Sequence, residues 1–259
     1  ELGLEGMRAV ATAINARIFD RGAKQFAGLA KSSGLLPGKI SGLIAQKALG
    51  ARLAAQVTGL LDPAQAVKLA AYISVEFQAD LCTFLDPRRA GPVLRAMPLP
   101  IVLETSRELV RREEYMTMAR FVEDLRQEQI DAVSEILAPV AMLWIGFYVE
   151  SGERLSQLIA GLDDTRLFAT SEAAAEHDLW PQALAMMARV DDGTINRMIG
   201  LLVDAGEEIH LSVLNACSEL DLWDAQVEIM RRTQPALLQR QEALMTAVAP
   251  DAVAELRRH

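Results

Sequence analysis

A segment that returns along the chain limits its fold more than any other feature. Glu176-His177-Asp178-Leu179-Trp180 recurs 43 residues later as Glu219-Leu220-Asp221-Leu222-Trp223. At the same offset Met187 matches Met230, Arg189 matches Arg232 and Arg197 matches Arg240. A looser copy, Glu113-Glu114-Tyr115, takes the place of Asp178-Leu179-Trp180 upstream. Self-similarity at such a period is the mark of a chain built from stacked supersecondary units.

A second recurring element has the form of a helix start. It reads Leu61-Asp62-Pro63, Leu85-Asp86-Pro87, Leu125-Arg126-Gln127, Leu162-Asp163-Asp164, Val190-Asp191-Asp192 and Thr233-Gln234-Pro235. Asp offers an acceptor to the free N–H groups of a first turn, and Pro is tolerated there. Five residues after the start come Ala66, Ala90, Ile130, Leu167, Ile195 and Leu238; twelve after come Ile73, Met97, Leu137, Ala174, Leu202 and Met245. A step of seven returns to nearly the same helix face, so each unit presents one apolar stripe. Ile101–Asp124 and Glu207–Arg232 read as single second helices of such units. A helix pair with one apolar stripe must stack on neighbours to bury it. Hydrophobic residues make up 51% of the chain and aromatics only 5%, so its apolar share is of the Ala, Leu and Met kind that favours helix. The expected fold is all-α, an irregular α-solenoid: a superhelical stack of helix-pair repeats.

Residues 1–60 stand apart. Arg8, Arg17, Arg21, Lys24, Lys31, Lys39, Lys47 and Arg52 face only Glu1, Glu5 and Asp20, a net +5 that leaves −14 for residues 61–259. Two domains follow: a basic amphipathic N-terminal helical segment (1–60) and an acidic helical-repeat domain (61–259). Ser32-Ser33-Gly34-Leu35-Leu36-Pro37-Gly38 reads as a loop between two basic helices. In the second of these, Ile40, Ile44, Leu49, Leu53, Val57 and Leu60 track one face. That helix has three readings: a first repeat packed on the acidic body, a segment touching an anionic membrane surface, or a site for an acidic protein partner. Lys39, Lys47 and Arg52 are the candidate residues for an anionic partner. The face lacks Trp and Phe, which favours the first reading.

The net charge of −9 excludes a general nucleic-acid binder, which needs surplus cations to displace counterions. Cys82 and Cys217 lie far apart with no CxxC pair, which suits a reducing compartment and a bacterial cytoplasmic location. No charged-then-apolar leader is visible, and one preceding Glu1 stays open. The uncharged run Ile136–Val149 is shorter than the ~20 residues of a spanning helix and reads as a core helix.

Catalytic patterns are sparse. The histidines are His177, His210 and His259, with no HExxH, phosphate loop or Gly-x-Ser-x-Gly elbow. Glu207 and His210 have the i, i+3 spacing of one element of a carboxylate-bridged metal site, but such sites use two. Asp163-Asp164 and Asp191-Asp192 have the form of paired carboxylates, and capping accounts for them at helix starts. Trp180 and Trp223 occupy equivalent positions, as packing residues do. Trp144, Phe147 and Tyr148 break the repeat and are the candidate lining of an apolar pocket. No catalytic, cofactor or metal residue is expected.

The run Leu85-Asp86-Pro87-Arg88-Arg89-Ala90 through Val93-Leu94-Arg95-Ala96-Met97-Pro98 is similar to the superhelical cytosolic N-terminal domain of bacterial magnesium channels of the MgtE type, a fold also related to flagellar motor-switch proteins. The resemblance covers residues 61–259 and implies a curved stack of short helices used in regulation and assembly. The paired nucleotide-sensing domain and the pore are missing, so Mg²⁺ sensing does not carry over. The resulting expectation is a non-enzymatic adaptor or scaffold with a protein partner. The alternative is a carrier of an apolar small molecule or lipid, placed at a membrane surface.

Overall fold

Asp and Pro open helices where the sequence puts them. The computed structural model describes Gly28 and residues 37–256; the first basic helix, most of the Ser32–Gly38 loop and His259 lie outside these. In chain order come α1 (Gly38–Ile44), a π-helical turn (Ala45–Leu49), α2 (Gly50–Thr58), α3 (Pro63–Ala70), α4 (Val75–Phe84), α5 (Pro87–Ala96) and α6 (Leu99–Arg111). Then follow α7 (Tyr115–Phe121), α8 (Gln127–Ile136), α9 (Pro139–Tyr148), α10 (Gly152–Ala160), α11 (Asp164–Glu176) and α12 (Trp180–Met187). The last are α13 (Asp192–Ala205), α14 (Glu207–Leu220), α15 (Trp223–Arg231), α16 (Pro235–Val248) and α17 (Pro250–Leu256). The fold is all-α, and no strand occurs among the described residues.

The caps follow the expected chemistry. Carboxylate oxygens of Asp62, Asp86, Asp163 and Asp191 accept from the N–H of Ala64, Arg88, Arg166 and Thr194 at 2.9, 3.1, 2.8 and 2.8 Å. Two starts work otherwise. The Arg126 N–H donates to Gln129 Oε1 at 2.9 Å, and the Gln234 N–H to Asn196 Oδ1 at 2.6 Å.

Both long second helices are interrupted, which corrects the expectation of unbroken helices over 101–124 and 207–232. Glu113 (φ 59°), Asp178 (φ 55°) and Asp221 (φ 53°) are left-handed. The following N–H reaches back five residues in each case: Glu114 to Leu109 O at 2.9 Å, Leu179 to Ala174 O at 2.9 Å and Leu222 to Cys217 O at 3.1 Å. This closes the helix end in the Schellman manner, where Gly is usual. Tyr115, Trp180 and Trp223 then each begin a new helix. The recurring Asp-Leu-Trp is thus a stop, a closure and a restart.

The chain divides into two compact units, one of residues 1–117 and 124–133, the other of 118–123 and 134–259. The boundary expected at residue 60 falls inside the first unit, where α2 packs on α4 and α1 on α3. Packing there continues to every second helix, with α3 on α5 and α4 on α6. In the second unit packing on every second helix persists, as in α9 on α11 and α14 on α16, and contacts with every third helix are added: α9 on α12 and α12 on α15, α10 on α13 and α13 on α16, α11 on α14. The left-handed break turns the expected pair into a triplet. The core of this unit includes Leu155, Ile195, Ile199, Leu214, Trp223, Ile229 and Met245, each less than 2% exposed or close to it.

Long side chains tie the helix layers together by gripping the carbonyls left over at helix ends. Gln129 Nε2 donates to Leu94 O and Met97 O, and Gln78 Nε2 to Ala70 O and Ile73 O. Arg166 takes Ser134 O and Leu137 O, Arg197 takes Ile159 O and Leu162 O. Arg189 takes Gly146 O, Phe147 O and Val149 O, and Arg232 takes Ala188 O and Val190 O. These clamps explain the second position of the sequence pattern. Ile73, Met97 and Leu137 lie past the ends of short helices, half-buried, with their carbonyls held. Ala174, Leu202 and Met245 sit inside longer helices and are buried at 0%, 6% and 1% exposure.

Candidate interaction surfaces

The first candidate lies on α1 and α2, where an apolar face points outward. Ile40, Leu43, Ile44 and Leu53 are 47%, 51%, 40% and 43% exposed, and Leu60 37%. The buried residues of α1 are instead Ser41 and Gly42. The ring and backbone of Tyr72 explain this inversion: a Cβ on Gly38 would lie 2.6 Å from the Tyr72 ring, and one on Gly42 3.0 Å from its backbone oxygen. Only small residues fit that approach, so the larger aliphatics of α1 turn away. The stripe Ile40, Ile44, Leu49, Leu53, Val57, Leu60 is therefore buried only at Val57 and half-buried at Leu49. Helix α2 packs inward through Ala54, Ala55 and Val57. Lys39 on α1, Lys47 on the π-helical turn and Arg52 on α2 are all exposed, so the three candidate anion-binding residues come from the same stretch of chain as the outward aliphatics.

The second candidate is the aromatic cluster on α9. Trp144 stacks on Tyr148 with centroids 6.0 Å apart and planes at 22°, and Phe147 meets both edge-on at 6.2 and 5.2 Å. All three are half-buried, while Ala141, Leu143, Ile145, Gly146 and Val149 are buried. Pro139 opens this helix and Arg189 holds its far end. Gly146 lets it approach α12: a Cβ there would fall 2.4 Å from the Met186 methyl. Sequence spacing put the rings together, but the helix that presents them is a surface helix on this side and a core helix on the other.

A cavity in the second unit lies elsewhere. It measures about 20 Å³ and is lined by Trp180, Ile209, His210, Gln226, Gln241 and Met245 among others. This is room for one water, against several hundred Å³ for a small-molecule site. His210 is buried, and its Nδ1 sits 2.9 Å from Gly206 O. A carbonyl can only accept, so Nδ1 carries the proton and Nε2 is left as an acceptor. That Nε2 and Gln241 Oε1 are buried without a protein hydrogen-bond partner. Burial holds the His210 pKa below its ordinary value, against the opposing bond to Gly206.

The other chemistry-bearing residues have structural occupations. Glu207 is exposed while His210 turns inward, and among the described residues no three His, Cys, Asp or Glu side chains converge. In the two acidic pairs the first member caps and the second takes an arginine: Asp164 meets Arg197 at 2.6 Å and Asp192 meets Arg232 at 2.7 Å. The Thr194 N–H, followed by Ser156, holds the Asp191 carboxyl below the usual range. Glu108 is drawn down to about 2 by the guanidinium groups of Arg111 and then Arg112. Burial pushes the Cys217 thiol up to about 12, where it is inert as a nucleophile. Trp180 and Trp223 are buried, the first with its Nε1–H on Ser212 Oγ at 2.8 Å. Among the described residues no helix is long and apolar enough to cross a membrane. Missed in the sequence were the outward turn of α1 and the clamps; the Gly38–Gly42 spacing and the Arg189/Arg232 match were the available signals. No protein-family model, curated protein or solved structure matches the chain.

Proposed function

We propose that the chain is a non-enzymatic helical-repeat adaptor of the bacterial cytoplasm that holds a protein partner on its surface. The observation that carries this is the half-exposed cluster of Trp144, Phe147 and Tyr148, three rings packed on one another and fixed on a helix whose end Arg189 clamps. Rigid Trp and Tyr side chains are what interface hot spots are made of. The acidic pairs and the inner arginines, meanwhile, serve the scaffold itself. Equivalent Asp-Leu-Trp segments with equivalent arginine clamps support an irregular α-solenoid built by repetition, and an architecture of that kind works through its extended surface. The Leu-Asp-Pro resemblance to the magnesium-channel cytosolic domain agrees with a role in assembly.

Native mass spectrometry of the protein purified from its own host, beside its Trp144→Ala and Tyr148→Ala variants, tests this. A protein partner held at fixed stoichiometry by the parent and lost from correctly folded variants is the expected result. The second reading, carriage of an apolar small molecule or lipid, draws on the same cluster. A retained small molecule with no protein partner would establish it and overturn the adaptor.

A further inference from the structure

The outward apolar face of α1 and α2 is a surface in search of an occupant, and its charge identifies one. We propose that Ile40, Leu43, Ile44 and Leu53, framed by Lys39, Lys47 and Arg52, dock the protein on an anionic lipid bilayer. The inference is independent of the adaptor reading, which rests on the aromatic cluster of the other unit.

Geometry supplies the first argument. Ile40, Leu43, Ile44 and Lys47 follow one another at steps of three, one and three, which is one side of a helix. The opposite side carries Gly38 and Gly42, where a Cβ would clash with Tyr72, so the aliphatics cannot take their place. The exposure is built in by packing.

Charge supplies the second. Between Asp20 and Asp62 the sequence has no Asp or Glu, while Lys39, Lys47 and Arg52 are exposed beside the aliphatics. A face of that sign attracts anions. At physiological ionic strength screening acts within about 8 Å, so headgroups at this face respond to its own cations more than to the acidic remainder of the chain. A second copy of the chain is a poor occupant, because a face-to-face pair brings six cations together and residues 38–58 of each copy hold no carboxylate. An acidic protein is the remaining rival. Lys is depleted from protein interfaces, whose anchors are mainly aromatic or Arg, and this face is chiefly aliphatic with lysines. Lysine and arginine beside leucine fit a helix lying in the plane of a bilayer surface, here without the Trp or Phe that such helices often add.

The test uses the full chain and sedimented vesicles. Vesicles of equal phosphatidylglycerol and phosphatidylcholine are expected to bind it, and pure phosphatidylcholine vesicles much less. Replacing one of Lys39, Lys47 or Arg52 by Gln should weaken binding roughly fivefold, and all three on the order of 100-fold. Leu43→Ser with Ile44→Ser should weaken it at least roughly tenfold. These side chains are exposed, so the variants keep their fold, which circular dichroism verifies. Leu220→Ser, at a 53% exposed position in the other unit, should bind like the parent. Equal binding to neutral and anionic vesicles, no binding to either, or a triple variant indistinguishable from the parent would overturn the proposal. So would sedimentation equilibrium that finds a dimer dissolved by the Leu43/Ile44 change, which assigns the face to a second copy. Loss of vesicle binding with the aromatic-cluster partner retained separates this surface from the adaptor site.

Discussion

Replacing Arg189 by Ala should be among the most damaging single changes in the second unit. Its guanidinium donates to Val149 O, to Phe147 O at 2.9 Å, to Gly146 O at 3.1 Å and, from Nε, to Ala185 O at 3.0 Å. Three of these carbonyls close the end of α9. Phe147 is half-buried and its carbonyl can recover water, but Gly146 and Val149 are buried, Val149 to 1% exposure. A hydrogen bond from a charged donor contributes about 1.5–3 kcal/mol, and a buried carbonyl left without a donor costs about 1–3. Val149 O is left in that condition, while Gly146 O keeps the Val149 N–H at 3.3 Å; with the charged bonds lost, the loss is about 3 kcal/mol. Arg189→Lys keeps the charge but has one ammonium for a fork that serves several carbonyls, so about 2 kcal/mol is expected. Arg231→Ala is the control: its side chain is 67% exposed and 4.0 Å from Glu228, so its loss should stay within about 0.5 kcal/mol. The assay reports this unit selectively, because Trp144, Trp180 and Trp223, the three tryptophans of the chain, all lie in residues 134–259. Urea unfolding followed by tryptophan fluorescence should move its midpoint with an unchanged slope, and Tm should fall by about 10–15 °C for a unit of roughly 130 residues. A loss below about 1 kcal/mol, or one equal to that of Arg231→Ala, would refute the reading of Arg189 as a clamp.

Other consequences follow from the same packing. Asp178→Gly and Asp221→Gly should each stabilise by about 0.5–1 kcal/mol, because both positions have positive φ where glycine carries no Cβ strain; unchanged or lowered urea midpoints would contradict the left-handed assignment. Gly152→Ala should destabilise by more than about 2 kcal/mol, since its Cβ would lie against the Arg189 backbone oxygen, which cannot swing aside like a side chain. For His210, whose folded pKa is lowered, the unfolded chain binds the proton first, near 6.5; stability is therefore lost as pH falls below that value, and His210→Gln should flatten this part of a stability–pH curve. Glu108 acts lower on the scale: its carboxyl is depressed to about 2, so its contribution is present above about 4.5 and disappears as pH falls from there through 2, a loss that Glu108→Gln should remove from the acid limb.

Helix starts were legible because their chemistry is local. An Asp whose carboxylate meets an N–H two or three residues on needs no knowledge of the rest of the molecule, and Asp62, Asp86, Asp163 and Asp191 all behave this way. The stops at Glu113, Asp178 and Asp221 were hidden, although the motif containing them was visible. A left-handed helix end is usually written with Gly, and here an acidic residue occupies it. Periodicity likewise found the apolar side of α1 without saying which side the protein would cover. That choice is made by Tyr72, thirty residues away, which admits Gly38 and Gly42 and excludes isoleucine.

The arginine clamps act in series. Arg232 holds Ala188 O and Val190 O, the residues on either side of Arg189, and Arg189 in turn holds the end of α9. Each arginine thus fixes the backbone turn from which the preceding one reaches. A residue bonded about one period back is constrained twice, by its own place and by the carbonyls it must meet, whereas an apolar neighbour needs only to fill volume. That accounts for the exact match of Arg189 with Arg232 in the 43-residue echo. The same logic links scaffold to surface. The rings of Trp144, Phe147 and Tyr148 ride on the helix at the end of this chain of clamps, so a change at Arg232 should disturb the α9 surface through Arg189 without touching it. Arg189→Ala and Arg232→Ala combined should then cost less than the sum of the two, because the first already releases what the second would loosen.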